Sequence, residues 1–479
     1  MFKNRQSIFL LILILGFFFL LYQPSFTSFF SQDDFYYLSL ARANSLVDVV
    51  NFFNPQTQEV FYFRPLGTQL FFLVAHGLPT ALAPIALRLV ALSFHLANFY
   101  LIFKLLRKIL KQEQLAMVLA GAYLIAPLHF MSLYYISAFQ QILAAFWQLL
   151  GFWFFVLNQK RWIYLFFILA LLSKETALIF PALLLIFSYI IRPEKTLSGC
   201  FNRFKKEFSF WLFFIFIIVL YGLIRLTNFT ASPGGNYQFS FSPRTLISSW
   251  RWYLVWLIGA PETITRYAGR ILDFGWESFL KDSGLLGITF LGTFLATILL
   301  VCLITLLIVK KKLITTKIKE NFIIIFYWLI FFVISLLPVS FFPYHRYSHY
   351  LDLVFFALLI IVGKLFLKTK RLKILWVLLF LAFLANAWVS VSIDQELHWT
   401  TGRSEIAQRY FGIFQNKNLC LERGVYFVDS PSLSAYEASL ALLNHWGPAY
   451  FCHYQPPPVY YQGINSPSDY DQVRIIKYK

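Results

Sequence analysis

The stretch LALLSKETALIFPALLLIF, residues 169–187, lies within about thirty residues of nearly unbroken apolar sequence, interrupted only by Lys174 and Glu175. Read as one membrane span, it buries two charges near mid-bilayer, each costing roughly 2.5–3.5 kcal/mol on insertion scales. Read as two short spans with a reversal between them, it sets the charged pair at the rim of a cavity on the outer side. The second reading is preferred, because ionisable residues at membrane depth are expensive and mark functional sites. The plainer alternative is an ion pair, or a snorkelling lysine, that only stabilises the reversal.

The rest of the chain agrees with a membrane setting. Of 479 residues, 59% are hydrophobic, 20% aromatic and only 13% charged, against about 25% charged in a soluble domain. Long, continuous apolar runs predict an all-α polytopic membrane protein and argue against a barrel, whose strands alternate. Eleven spans are predicted, near 8–22, 84–104, 114–131, 138–157, 162–172, 176–191, 208–225, 284–309, 321–341, 350–367 and 372–391. The first, followed by YQPSFTSFFS without an A-x-A-like cleavage site, is read as a retained span.

The formal charge of +19 invites a nucleic-acid reading, which the distribution removes. With the N-terminus in the cytoplasm, the short cytoplasmic segments hold 23 of the 41 Lys and Arg and four of the 22 acids. The remainder balances, so the whole excess obeys the positive-inside rule. The same topology puts the long loops 23–83 and 226–283, and the C-terminus, outside. Residues 1–391 form the membrane domain. From 392 the composition shifts to a small exterior α/β domain, 392–479: a helix carrying Ile406, Tyr410, Phe411 and Phe414, a strand at GVYFVDSP, a helix at SAYEASLALLNHW and a last strand at VRIIKYK. Cys420 and Cys452 both fall there, where a disulfide is permitted.

Chemistry-bearing residues gather at the outer boundaries. Asp33 and Asp34 open DDFYYLSLARANSLVDVVNFF, read as an amphipathic interfacial helix, with a second in FYFRPLGTQLFFLVAHGL. Neighbouring carboxylates repel, which raises one of them and makes it a better proton acceptor; a hydrated pair just outside a span is the plainer reading. PYHRYSHYLD brings His345, Arg346, His349 and Asp352 to the start of a late span. Arginine suits phosphate through its planar fork, while interfacial anchoring by His, Arg and Tyr is the alternative. Arg64 in FRPLG is a further cavity candidate. His129 reads better as a satisfied structural histidine, and Arg88, inside a span, must face protein or cavity. His445, Cys452 and His453 lack metal-ligand spacing, and no cofactor or divalent metal is indicated. Walker, G-x-S-x-G and H-E-x-x-H patterns are not seen.

An acidic pair in the first exterior loop, RPL before span two, SKE followed by PALLL, and HRY before a late span together resemble the GT-C class of membrane glycosyltransferases. That class includes protein O-mannosyltransferases and the aminoarabinose transferase of lipid A. The resemblance covers roughly residues 1–390. It implies a multi-pass enzyme of a bacterial plasma membrane, with a sugar donor carried on a polyprenyl phosphate and an acceptor outside. Asp33 or Asp34 would be the base or orienting carboxylate. The mannosyltransferase pattern is Asp-Glu where this chain has Asp-Asp, so the assignment between the two stays open. Arg64, Lys174 and Arg346 are candidates for the leaving phosphate, Glu175 is an orienting partner for Lys174, and His345 and Tyr347 belong to the HRY element. The rival readings are a transporter or flippase of lipid-linked sugars, a polymerase or ligase of lipid-linked glycans, and an inactive scaffold.

Overall fold

The computed structural model describes the chain apart from residues 1–4, 56–62, 193–196, 229–237, 268–273, 311–316 and 478–479. Among the described residues, eight helices are long and apolar enough to cross a membrane: Arg5–Thr27, Ala83–Leu110, Ile136–Val156, Phe208–Leu226, Trp276–Ile308, Ile323–Ser340, Ser348–Lys368 and Lys370–Leu397. A ninth crossing forms only if Glu113–Ile125 and Pro127–Tyr134, bent by 45° at Ala126, are taken together. The chain is thus a multi-pass helical membrane protein, but eleven full spans are not reached. The shortfall lies in the stretch that opened the reading. Lys160–Ser173 and Phe180–Ile191 have 14 and 12 residues. At 1.5 Å per residue they extend about 21 and 18 Å, short of the roughly 30 Å hydrocarbon core.

Successive helices alternate in direction, which sorts their ends. The Ala83–Leu110 helix finishes beside Lys104, Arg107, Lys108 and Lys111, which with Trp153 line a basic recess at one end of the bundle. The opposite end collects Tyr22, the Ala126–Ser137 bend, the Lys174 reversal and Ser348. Tyr22 OH donates to Ala126 O at 2.9 Å, and Ser348 Oγ donates to Leu128 O at 3.0 Å.

The first loop departs from its predicted form. The expected single helix after Asp33 splits into Asp33–Leu40 and Leu46–Asn51. Ser45 restarts it: its hydroxyl accepts from Asp48 N while the Asp48 carboxylate takes Ser45 N, a capping box that favours a new helix over a continued one. The predicted second interfacial helix shrinks to Gln69–Leu73. Asp33–Leu40 turns its apolar side to protein. Phe35, Tyr37 and Leu38 are buried, and Phe35 packs on Tyr450 and Phe451 of the C-terminal region.

That region begins beyond the predicted 391/392 boundary, because the last span continues to Leu397. Helix Trp399–Asn416 leads into strand β1 (Val425–Val428), helices Ala435–Leu442 and Trp446–Phe451, strand β2 (Val459–Tyr461) and strand β3 (Arg474–Lys477). The sheet is parallel in the order β2-β1-β3, with Tyr426 opposite Tyr460 and Ile475. β2 and the Trp446 helix escaped the sequence reading, since YFCHYQPPPVYYQG carries turn residues on both sides of a three-residue strand. Gln32 N donates to Ala441 O at 2.9 Å. Ser404 Oγ receives Phe29 N at 2.6 Å and gives to Phe29 O at 3.1 Å. Phe29 stacks on Phe411. The tail is therefore docked on the first loop rather than appended to the bundle.

Cys420 and Cys452 form a disulfide across a sequence separation of 32. Closing a loop of that length removes about 3–4 kcal/mol of unfolded-chain entropy in the loop-closure model. Replacing both cysteines with serine is expected to speed amide exchange across 419–477 and leave the bundle helices protected. Unchanged exchange in the tail would show that its packing, not the crosslink, holds it.

Candidate functional site

The site is built around the Lys174 reversal. The Lys160–Ser173 helix ends with Lys174 in extended conformation (φ −160°, ψ 134°), and a short 3₁₀ turn, Glu175–Ile179, leads to Pro181 in the first turn of the next helix. Proline is tolerated there because those first N–H groups lack helical partners anyway. The RPLG loop docks on the same turn: Leu66 N donates to Leu172 O at 3.1 Å, and Thr68 N to Arg64 O at 2.9 Å. Gly67 is required by this approach, since a Cβ there would fall 2.4 Å from Ser173 O and 2.7 Å from Gln140 Cβ.

Docking brings Arg64 into a two-pronged ion pair with Glu175, while a third nitrogen donates to Gln140 Oε1. Glu175 thus partners Arg64, not Lys174 as the sequence suggested. Adjacent residues at the turn point to different sides, and Glu175 meets the guanidinium. Lys174, 4% exposed, has its Nζ 4.6 Å from the centre of the Tyr350 ring. Among the described residues its ammonium makes no hydrogen bond or ion pair. Burial, then the charge of Arg64, lowers Lys174 to about 7 against the pull of Glu175 and Asp352.

The two aspartates part company. Asp34 is buried, with Oδ2 accepting from Ser31 N at 2.9 Å and Oδ1 from Ser137 N at 2.8 Å and from the Ser137 hydroxyl. Burial pushes its carboxyl up to about 7, opposed by those bonds and by Arg88. It ties the first loop to the start of the Ile136–Val156 span. Asp33, one residue away on the helix, is exposed to the cavity, and its backbone N–H donates to Tyr135 OH at 3.1 Å. Burial raises the Asp33 carboxyl, countered by Tyr135, Arg64 and Arg403.

Asp33, Arg64, Lys174, His345 and Tyr347 line one cavity of about 400 Å³, together with Tyr135, Gln140, His349, Tyr350, Trp399 and Arg403. Burial, then Lys174, holds His345 down to about 3, so its ring is neutral. Arg346 is not brought in: Nη1 donates to Ser248 Oγ at 3.3 Å, and it does not line the cavity. The expected pairing of Lys174 with Arg346 around one ligand is not seen. His345 and Tyr347 turn inward from the same loop, so Arg346 between them turns out. His129 does not line the cavity: Nδ1 lies 3.1 Å from Asp352 Oδ1, and its ring packs on His95 and Tyr123. Arg88 donates to Ser28 O, Leu133 O and Tyr134 O at 2.8–3.0 Å, latching two loops. No three of His, Cys, Asp and Glu converge as a metal site among the described residues.

The sequence reading missed Tyr135, Gln140, Trp399 and Arg403. The first two sit in YYISAFQQ, where polar residues break an apolar run beside His129, and that break was the available signal. Trp399 and Arg403 follow the last span, where nothing local marks them. Comparison with protein-family models, curated proteins and solved structures returns no match.

Two substitutions test the architecture. Gly67→Ala forces a methyl into the Ser173 carbonyl, where neither backbone can yield; overpacking of this kind costs about 1–3 kcal/mol and should lower the melting temperature. Asp34→Asn keeps one acceptor oxygen where the carboxylate has two, so the Ser31 N–H or the Ser137 donors lose their partner and the variant should melt below wild type. Asp33→Asn should melt with wild type. Equal melting of the two asparagine variants would contradict their different environments.

Proposed function

We propose that the chain is a membrane glycosyltransferase of GT-C type, which moves a sugar from a polyprenyl-phosphate donor to an acceptor outside the membrane. One observation carries the reading: a single cavity holds a carboxylate open to it, Asp33, and a buried cation with no carboxylate of its own, Lys174. A buried lysine without a partner is a poor stabiliser and a good anion receptor.

In the proposed reaction the acceptor hydroxyl oxygen forms a bond to the anomeric carbon. The bond from that carbon to the lipid phosphate oxygen breaks, and its electron pair leaves with the phosphate. The hydroxyl proton passes to Asp33. A carboxylate whose affinity for protons is raised by burial is better suited to take it. Lys174 faces the negative charge that gathers on the departing phosphate, where a positioned cation is worth several kcal/mol. Arg64, neutralised by Glu175, holds the reversal in shape and presents less net charge. Asp34 positions the helix that carries Asp33. The basic recess at the far end of the bundle and the tail disulfide both support an orientation with the cavity and C-terminus outside.

The test is release of polyprenyl phosphate by the purified protein in nanodiscs supplied with polyprenyl-phosphate hexoses and pentoses. Asp33→Asn should cut turnover roughly 10²–10⁴-fold while donor still binds. Lys174→Met should weaken donor binding, and Arg346→Ala should change little. Donor affinity should fall as pH rises through about 7, because Lys174 then loses the proton that makes it a cation. Donor that crosses the bilayer without being cleaved would instead mark a flippase, and full turnover in Asp33→Asn would remove the base.

A further inference from the structure

Helix Trp399–Asn416 begins where the last span ends, and its start is fixed to the bundle. His398 caps it, accepting Thr400 N at 3.3 Å through Nδ1, while its Nε2 lies 3.6 Å from Glu262 Oε1. One turn earlier, the Asp394 carboxylate receives Glu262 N and Thr263 N, each at 2.9 Å. Trp399 and Arg403, four residues apart on one helix face, are held at the cavity by this anchoring rather than by a loop.

The two side chains form a graded surface leading to Asp33. The Arg403 guanidinium lies 5.3 Å from the Trp399 ring centre. Trp399 meets Tyr135 edge to face at 5.3 Å, and Tyr135 OH receives Asp33 N. Glu437 accepts from Arg403 Nε at 3.3 Å. Among the described residues, the two terminal nitrogens of Arg403 make no hydrogen bond. The Arg403 charge acts on the Asp33 carboxyl, lowering it against the effect of burial. Arg403 lines the same cavity as Asp33 and Lys174.

We infer that Trp399 and Arg403 form a second binding pole of the cavity, which takes an acidic pyranose: a sugar ring laid on the indole with its carboxylate or phosphate on the guanidinium terminus. An indole offers a large flat apolar face, and an arginine anchored by Nε keeps its terminal edge directed at a planar anion. In the proposed transferase this is the acceptor side, and that role, unlike the pole itself, rests on the transferase reading.

Saturation-transfer NMR on the full-length protein in detergent separates the alternatives, with methyl glucuronide, glucose 6-phosphate and methyl glucoside as probes. At least one acidic probe should bind tenfold or more tightly than the neutral glucoside, and which one does tells carboxylate from phosphate. Arg403→Gln should abolish that preference and Trp399→Ala should weaken every probe, both at unchanged melting temperature. Lys174→Met should leave probe binding intact. No binding, equal binding of the neutral glucoside, or indifference to Arg403→Gln overturns the inference. Probe binding that depends on Arg403, in a protein that cleaves no lipid-linked sugar, upholds the pole and removes the transferase reading. Turnover with probe binding indifferent to Arg403 does the reverse.

Discussion

The ion pair between Arg64 and Glu175 is the constraint on which the cavity depends. Two half-length helices meet at Lys174, and a grip from another part of the chain helps to keep that meeting point in place. The guanidinium does so by gripping Glu175 on one side and Gln140 on the other, while its own loop hydrogen-bonds to the end of the first half-helix. Removing Glu175 would leave the guanidinium of Arg64, itself buried, as an uncompensated charge. The pair also decides the electrostatics of the cavity. By consuming the nearest carboxylate, Arg64 leaves Lys174 without one.

A division of labour between adjacent residues recurs around the cavity. Lys174 faces the space and Glu175 faces the scaffold. Asp33 is open and Asp34 is buried under three donated hydrogen bonds. His345 and Tyr347 line the cavity, and Arg346 between them points to Ser248. In each case the chain turns one side chain to the scaffold and its neighbour to the cavity.

Much of the membrane framework was legible, because apolar runs and basic flanks are local properties of the chain. Every predicted span coincides with helix, and only the length of the segments around Lys174 and the bend at Ala126 break the count. The membership of Asp33, Arg64, Lys174, His345 and Tyr347 in one cavity was legible too, since residue type and membrane depth suffice to gather them at one end. Orientation was not. Nothing in SKE says that Glu175 turns to Arg64, and nothing in HRY says that its arginine turns away. The tail was read by composition as an appendage, because Phe29, Phe30 and Phe35 look like membrane-surface aromatics until the partners Phe411, Tyr450 and Phe451 are known.

The docking of the first loop on the tail also carries a consequence for the timing of biosynthesis. Phe29 and Ser404, which clasp each other's polar groups, are 375 residues apart, and every span but the first lies between them. A ribosome makes about 5–20 residues each second, so the early loop waits tens of seconds for its partner. During that interval Asp33 has neither the helix packed behind it nor the Trp399 wall beside it. The cavity is closed by a segment made after the last span, so a nascent chain still leaving the translocation machinery holds Asp33 in an unfinished setting. Completion of the membrane domain and completion of the site are separate events, and the second is reported by a contact between the two distant ends of the fold.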